Sequence, residues 1–240
     1  MADERRVYYD HEPAYRRIAA AGGRGWDDLR PGPDQGSYRA LDAFLARTPP
    51  PAPGARALEL GCGGGQAALR CARRGWRTAG IDYAETAIAL ARRNAAEAGL
   101  ELELVVGDCL DLEAFPDGSM DLVVDNHLLH CLVTPAHRAA LLRAVRRVLA
   151  PDGRWFSETM SCEGAAAPAA GFDPAAVDAD PLTGVSRNGT RIWVREADLD
   201  RELREAGLVV VHRERSAPDA STGGCDLVTV AVRGPAPRRP

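Results

Sequence analysis

The stretch ALELGCGGGQAAL, Ala57 to Leu69, constrains what this chain can fold into more than any other. Arg56 to Leu60 form a short apolar run suited to a buried strand. Glycines at alternate positions, Gly61, Gly63 and Gly65, then clear the backbone for a close ligand, and a helix begins at Gln66. A strand that ends in glycines and enters a helix presents unpaired N–H groups, which suits a polar or anionic small molecule of nucleotide type. The dinucleotide pattern G-x-G-x-x-G needs a glycine where this chain has Gln66. Glu59, two residues before the first glycine, would repel a pyrophosphate but suits a ligand carrying an ammonium or sulfonium charge.

The same alternation of strand and helix continues down the chain. Arg77 to Asp82 read as a second strand, followed by the helix AETAIALARRNAAEAG that ends at Gly99. Leu102 to Val106 and Met120 to Asp125 are the third and fourth strands. Thr134-Pro135 starts a helix whose Leu141, Leu142, Val145, Val148 and Leu149 recur at helical spacing. The turn Pro151-Asp152-Gly153 leads to a fifth strand, Arg154 to Thr159. Glu196 to Ala206 form a helix, and Val209 to Val211 and Leu227 to Val232 two last strands. Such alternation predicts an α/β, doubly wound parallel sheet with its ligand at the carboxyl ends of the strands. Glu59, Asp82, Asp108 and Asp125 all fall at such ends. Asp82 lies about twenty residues past the glycines, the distance at which a carboxylate meets ribose hydroxyls; the alternative is a cap for the next helix.

Glu59, Gly61, Gly63 and Gly65 resemble the first motif, E/D-x-G-x-G-x-G, of the class I S-adenosylmethionine-dependent methyltransferases. The piece VRRVLAPDGRWFSETM is similar to that family's helix, P-x-G turn and fifth strand. The resemblance implies a Rossmann-like seven-stranded sheet, mostly parallel with a C-terminal antiparallel pair, and S-adenosyl-L-methionine as cofactor. Glu59, Gly61, Gly63 and Gln66, with Cys62 in the same loop, would hold the methionine end and Asp82 the ribose. Tyr83, Asp108 and Cys109 would hold the adenine, Asp108 accepting from its amino group. Residues 1–53 would form a helical lid, 54–233 the catalytic domain with a substrate-loop insertion at 161–190, and 234–240 a tail. Tyr8, Tyr9 and Trp26 are lid candidates whose rings could lie against a sulfonium; their alternative is a hydrophobic staple for an N-terminal helix.

After the fourth strand comes DNHLLHCL, where the family places residues that touch both the methionine part and the acceptor. Asn126, His127 and His130 fall there. His130, with His127 second, is the expected general base, since an imidazole titrates near neutrality. Two other readings stand beside it: histidines that satisfy backbone groups at a turn, and a metal site with Cys131 and Glu158 or Cys162. H-x-x-H-C is not an established zinc spacing, so no metal is expected. The implied reaction is methyl transfer to an O, N or S atom of a small molecule. Its alternatives are another use of the same cofactor, by alkyl transfer or cyclisation, and a cofactor-binding partner protein without turnover.

Charge and composition narrow the acceptor. The formal net charge is -4, and every basic side chain apart from histidine is arginine. Without a basic stripe no nucleic-acid partner is expected, and without a long apolar run neither a membrane span nor a signal peptide. A cytoplasmic protein acting on a small-molecule acceptor is the expectation, and the oligomeric state leaves no trace in the sequence. Six scattered cysteines read as reduced thiols. The pairs Arg73/Arg74, Arg92/Arg93 and Arg146/Arg147 are expected on solvated helix faces. The D/N-P-P-Y/F sequence of nucleobase and amide N-methyltransferases does not follow the fourth strand.

Overall fold

The computed structural model describes residues 10–29, 38–161, 191–216 and 225–235. Tyr8, Tyr9, Cys162, residues 162–190 of the expected insertion and the end of the tail lie outside them. The strands are β1 (Arg56–Leu60), β2 (Arg77–Asp82), β3 (Leu102–Val106), β4 (Met120–Asn126), β5 (Leu149–Ser161), β6 (Leu208–Arg215) and β7 (Cys225–Arg233). The helices are α1 (Glu12–Ala20), α2 (Arg39–Arg47), α3 (Gln66–Arg73), α4 (Glu85–Ala98), α5 (Pro135–Val148) and α6 (Glu196–Glu205). No helix among the described residues is long and apolar enough to cross a membrane.

One seven-stranded sheet has the order β3-β2-β1-β4-β5-β7-β6. β1 to β5 pair in parallel, and β7 lies antiparallel to both β5 and β6. Side chains alternate across each strand, so the sheet buries both faces. Leu58, Leu60, Val123 and Trp155 pack with Leu142 and Val145 of α5 and Leu199 of α6. Ala57, Leu122, Val124 and Phe156 pack with Leu41 and Leu45 of α2 and Ala67 of α3. Each such fully buried leucine or valine contributes about 1.5–3 kcal/mol relative to exposure.

Register explains where the expected boundaries move. The Pro151-Gly153 turn lies inside β5, where Met120 pairs with Leu149 but Leu122 with Arg154, an irregularity that absorbs the extra residues. β6 runs to Arg215 instead of stopping at Val211. It is an edge strand, and Arg213 ion-pairs with Glu196 and Asp200 of α6 (3.2 and 2.6 Å), which keeps charged residues in the ladder. Thr134 has the extended backbone of an N-cap before Pro135, but its hydroxyl makes no cap bond.

Arg73 and Arg74 are exposed, but the other two arginine pairs do not simply face solvent. Arg147 donates to the carbonyls of Asp111, Leu112 and Phe115 at 2.8–2.9 Å and so clamps the loop before β4. Arg93 donates to the carbonyl of Gly23 and Arg92 to that of Leu104. Carbonyls left over at turns need donors, and the guanidinium supplies several at once.

Candidate functional site

Glu59 builds the glycine loop from below. It is 4% exposed, and its carboxylate accepts from the N–H groups of Ala67 (3.3 Å) and Ala68 (2.6 Å), the second and third residues of α3. Gly65, the residue at the N-cap, has no side chain to do this, so a carboxylate from the preceding strand caps the helix instead. Burial pushes the Glu59 carboxyl up to about 8 against the pull of those two amides.

Asp82, at the end of β2, ties the loop to the next helix. Its Oδ2 accepts from the Gly63 N–H and its Oδ1 from the Ala84 N–H, both at 2.9 Å. A carboxylate has about four acceptor positions, and with the Tyr83 backbone amide also acting on this one, room is left for a hydroxyl donor. Burial raises Asp82 to about 6. Gly63 sits at φ +51°, and a Cβ there would lie 2.4 Å from the Tyr15 hydroxyl. A Cβ on Gly64 would lie 2.0 Å from the Arg24 carbonyl oxygen. The N-terminal segment therefore rests directly on the loop, and Asn94 of α4 joins them by donating to both the Gly64 and Arg24 carbonyls (2.8 and 2.7 Å).

The same segment reaches Tyr83. The His11 N–H donates to the Tyr83 hydroxyl, and the His11 Nδ1 lies 3.0 Å from it. Trp26 packs edge-on against His11 (ring centroids 5.2 Å apart) and beside Tyr15 (5.9 Å). Tyr15 and Ile18 of α1 pack on Ala84, Ala87 and Leu90, and Glu12 accepts from the Thr86 N–H at 3.0 Å and from its hydroxyl. Gln66 opens α3, with its side chain near Gly25. Cys62 is turned away, its side chain against Gly80 of β2. Asp108 holds its own turn by accepting from the Leu110 N–H (2.9 Å). The Cys109 thiol is pushed up by burial first and by the charges of Asp108, Asp82 and Asp125 after it.

Past β4, fully buried Asp125 anchors the histidine segment. Its Oδ1 accepts from the N–H groups of Leu128 (2.8 Å) and Leu129 (3.2 Å), and its Oδ2 from the Ser157 hydroxyl (3.0 Å). His127 is thereby held at φ +69°, a left-handed conformation uncommon for anything but glycine. Its N–H donates to the Glu158 carbonyl (2.8 Å). The rings of His127 and His130 meet edge-on at 5.4 Å. His130 is 2% exposed, and its Nδ1 faces the Met160 N–H at 3.4 Å while its carbonyl accepts from Ile192 (2.8 Å). That bond places the neutral ring's proton on Nε2. Asn126, last in β4, pairs with Glu158 across the sheet. Behind this segment Arg138 binds Glu202 through two nitrogens (2.7 and 3.0 Å) and the carbonyls of Leu132 and Val133.

Two groups of side chains thus assemble. The glycine loop, Asp82, Tyr83 and Trp26 gather at the β1 and β2 ends. Asn126, His127 and His130 stand at the β4 end, beside Glu158 of β5 and Asp226 of β7. His11, Asn94 and Asp226 carry no local motif that would single them out, while Tyr15 belongs to the aromatic residues concentrated in the N-terminal segment. Glu158 is the possible metal ligand already named beside the histidine segment.

A family model described as a methyltransferase domain matches residues 57–153. A ubiquinone biosynthesis O-methyltransferase of Xanthomonas axonopodis pv. citri (strain 306) is 32% identical over 205 residues, covering 82% of this chain and 81% of that protein. Among solved structures, the [4+2]-cyclase SpnF aligns with a TM-score of 0.68 at 21% identity, over 93% of this chain and 94% of its own. The 1,6-didemethyltoxoflavin-N1-methyltransferase of Burkholderia thailandensis, solved with 1,6-didemethyltoxoflavin and S-adenosylhomocysteine, aligns at 0.62 and 21% identity over 95% and 92%. At such identity the two structures speak for the fold alone. On the ground of the curated relative, 32% identical over 82% of this chain, the chain belongs to the class I S-adenosylmethionine-dependent methyltransferases.

Proposed function

We propose that this protein methylates a hydroxyl oxygen of a small organic molecule. The observation that carries the reading is the O-methyltransferase relative, 32% identical over 82% of this chain and 81% of its own length. The residues fit the cofactor: Asp82 takes backbone amides on both oxygens and keeps acceptor capacity for a ribose hydroxyl. S-adenosylmethionine, when bound, supplies a methyl group already activated by a sulfonium charge.

The chain's own residues position the partners and exclude water. Gly61, Gly63 and Gln66 hold the methionine end, with Glu59 fixing the helix start beneath them. Asp82 takes the ribose, and Tyr83, Asp108 and Cys109 the adenine. The segment with Tyr15 and Trp26, held by the His11–Tyr83 and Glu12–Thr86 bonds, acts as a lid over that half. The acceptor lies at the ends of β4 and β5, beside Asn126. His127, half-buried next to Glu158, lies against the acceptor hydroxyl. His130, with its Nδ1 already directed at the Met160 N–H, orients the His127 ring.

The test is to incubate the purified protein with S-adenosylmethionine bearing an isotope-labelled methyl and a panel of phenols, enols and alcohols, and to resolve products by mass. A labelled methyl ether together with S-adenosylhomocysteine is the expected result. Methylthioadenosine as the sulfur product, or labelling confined to amines and thiols, would overturn the reading.

A further inference from the structure

His127, Glu158 and Asp226 come from three different elements, yet one ligand atom of each lies within 4.8 Å of the other two. The sheet creates this meeting. Met160 pairs with Asp226 in the β5–β7 ladder, so Asp226 sits diagonally across from Glu158 on the same face. His127 docks on the same strand through its bond to the Glu158 carbonyl. Glu158 is 5% exposed, and its Oε2 has no hydrogen-bond partner among the described residues. A buried carboxylate oxygen without a donor is costly, and a second carboxylate nearby adds to the cost. A proton shared between the two carboxyls would relieve them, and a cation bound by both relieves them while also engaging the imidazole nitrogen beside them.

We infer that His127, Glu158 and Asp226 form a divalent-cation site that binds the acceptor's hydroxyl oxygen. The inference rests on the acceptor reading above and names the group that handles the O–H bond. Ligand atoms about 2.1 Å from one cation lie about 3–4 Å apart, so the trio is a slightly open form of such a shell. One imidazole and two carboxylates suit manganese or zinc better than magnesium. Three protein ligands leave positions for the acceptor, as in catalytic metal sites. A hydroxyl bound there loses its proton more easily, as metal-bound water does. That proton passes to buffer, the oxygen lone pair forms the new O–C bond, and the C–S bond breaks with its electron pair kept by sulfur. His127 then serves as a ligand, and the acceptor is deprotonated on the cation without a side-chain base.

The test uses the full chain freed of metal by a chelator. Mn2+ is titrated in while the six-line paramagnetic resonance signal of the free ion is followed, and calorimetry with S-adenosylhomocysteine is run on the same preparations. Wild type should silence the signal at one site, and Glu158→Gln and Asp226→Asn should each weaken Mn2+ binding by at least about tenfold. Both variants should keep S-adenosylhomocysteine affinity within about threefold, which shows that the nucleotide half is intact. No Mn2+ uptake by wild type up to about 1 mM overturns the site, and so does uptake that both variants retain. Absence of heat with S-adenosylhomocysteine would sink the methyltransferase reading instead, so the two failures are separate.

Discussion

Asp82→Asn separates the structural task of this carboxylate from its proposed ribose role. The side chain accepts from Gly63 and Ala84 at 2.9 Å each, one bond per oxygen. An asparagine keeps one acceptor oxygen and turns an NH2 toward the other amide, so one buried N–H loses its partner. A hydrogen bond to a charged group contributes about 1.5–3 kcal/mol, and a domain of this size shifts its Tm by about 2–4 °C per kcal/mol, which gives a fall of about 3–12 °C. If Asp82 also takes the ribose hydroxyls, losing those charged bonds costs a similar energy in binding. At about 1.4 kcal/mol per factor of ten, the Kd for S-adenosylhomocysteine rises by about 10- to 100-fold. Thermal unfolding reads the first effect and calorimetry the second. A Tm that drops while the Kd changes by less than about threefold would leave Asp82 a purely structural residue and refute its ribose role. An unchanged Tm would refute the hydrogen-bond accounting.

Three further outcomes follow from the same geometry. Glu59, held near 8 by burial against an ordinary value of 4.5, contributes stability that is full below about pH 4.5 and lost as pH rises through about 8. The Tm of wild type minus that of Glu59→Gln should therefore decline between about pH 5 and 8, and a constant difference would show the carboxyl ionised throughout. Gly63→Ala puts a methyl 2.4 Å from the Tyr15 hydroxyl at φ +51°; the backbone cost is about 1–2 kcal/mol, and α1 should become more sensitive to limited proteolysis. Protection equal to wild type would count against a seated N-terminal segment. Arg138→Ala leaves Glu202 buried and the carbonyls of Leu132 and Val133 without their donor, so stability should fall by about 3–5 kcal/mol. Adding Glu202→Ala should restore part of that loss, and strict additivity in denaturant unfolding would show the pair uncoupled.

The seating of the N-terminal segment on the glycine loop would couple binding to folding. Tyr15 touches the position of Gly63, His11 bonds Tyr83, and Asn94 joins Arg24 to Gly64. The residues proposed to hold the nucleoside are thus the ones on which the N-terminal segment rests. A ligand that fixes the loop would fix that segment with it.

Much of the fold was legible in the sequence because its determinants are local. Glycines at 61, 63 and 65, Gly99 closing α4, Pro135 opening α5 and the apolar runs that end in Glu59, Asp82 and Asp125 each act within a few residues of themselves. Parallel strands joined by helices then leave few arrangements of the sheet. What the tertiary structure alone decided are the meetings between distant residues: Glu59 under α3 rather than open to a ligand, Arg147 on the loop before β4, His11 on Tyr83, and Asp226 beside His127 and Glu158. These depend on strand order and register, above all on β7 lying between β5 and β6, and a side chain's neighbours across a sheet are set by backbone pairing that no local periodicity encodes.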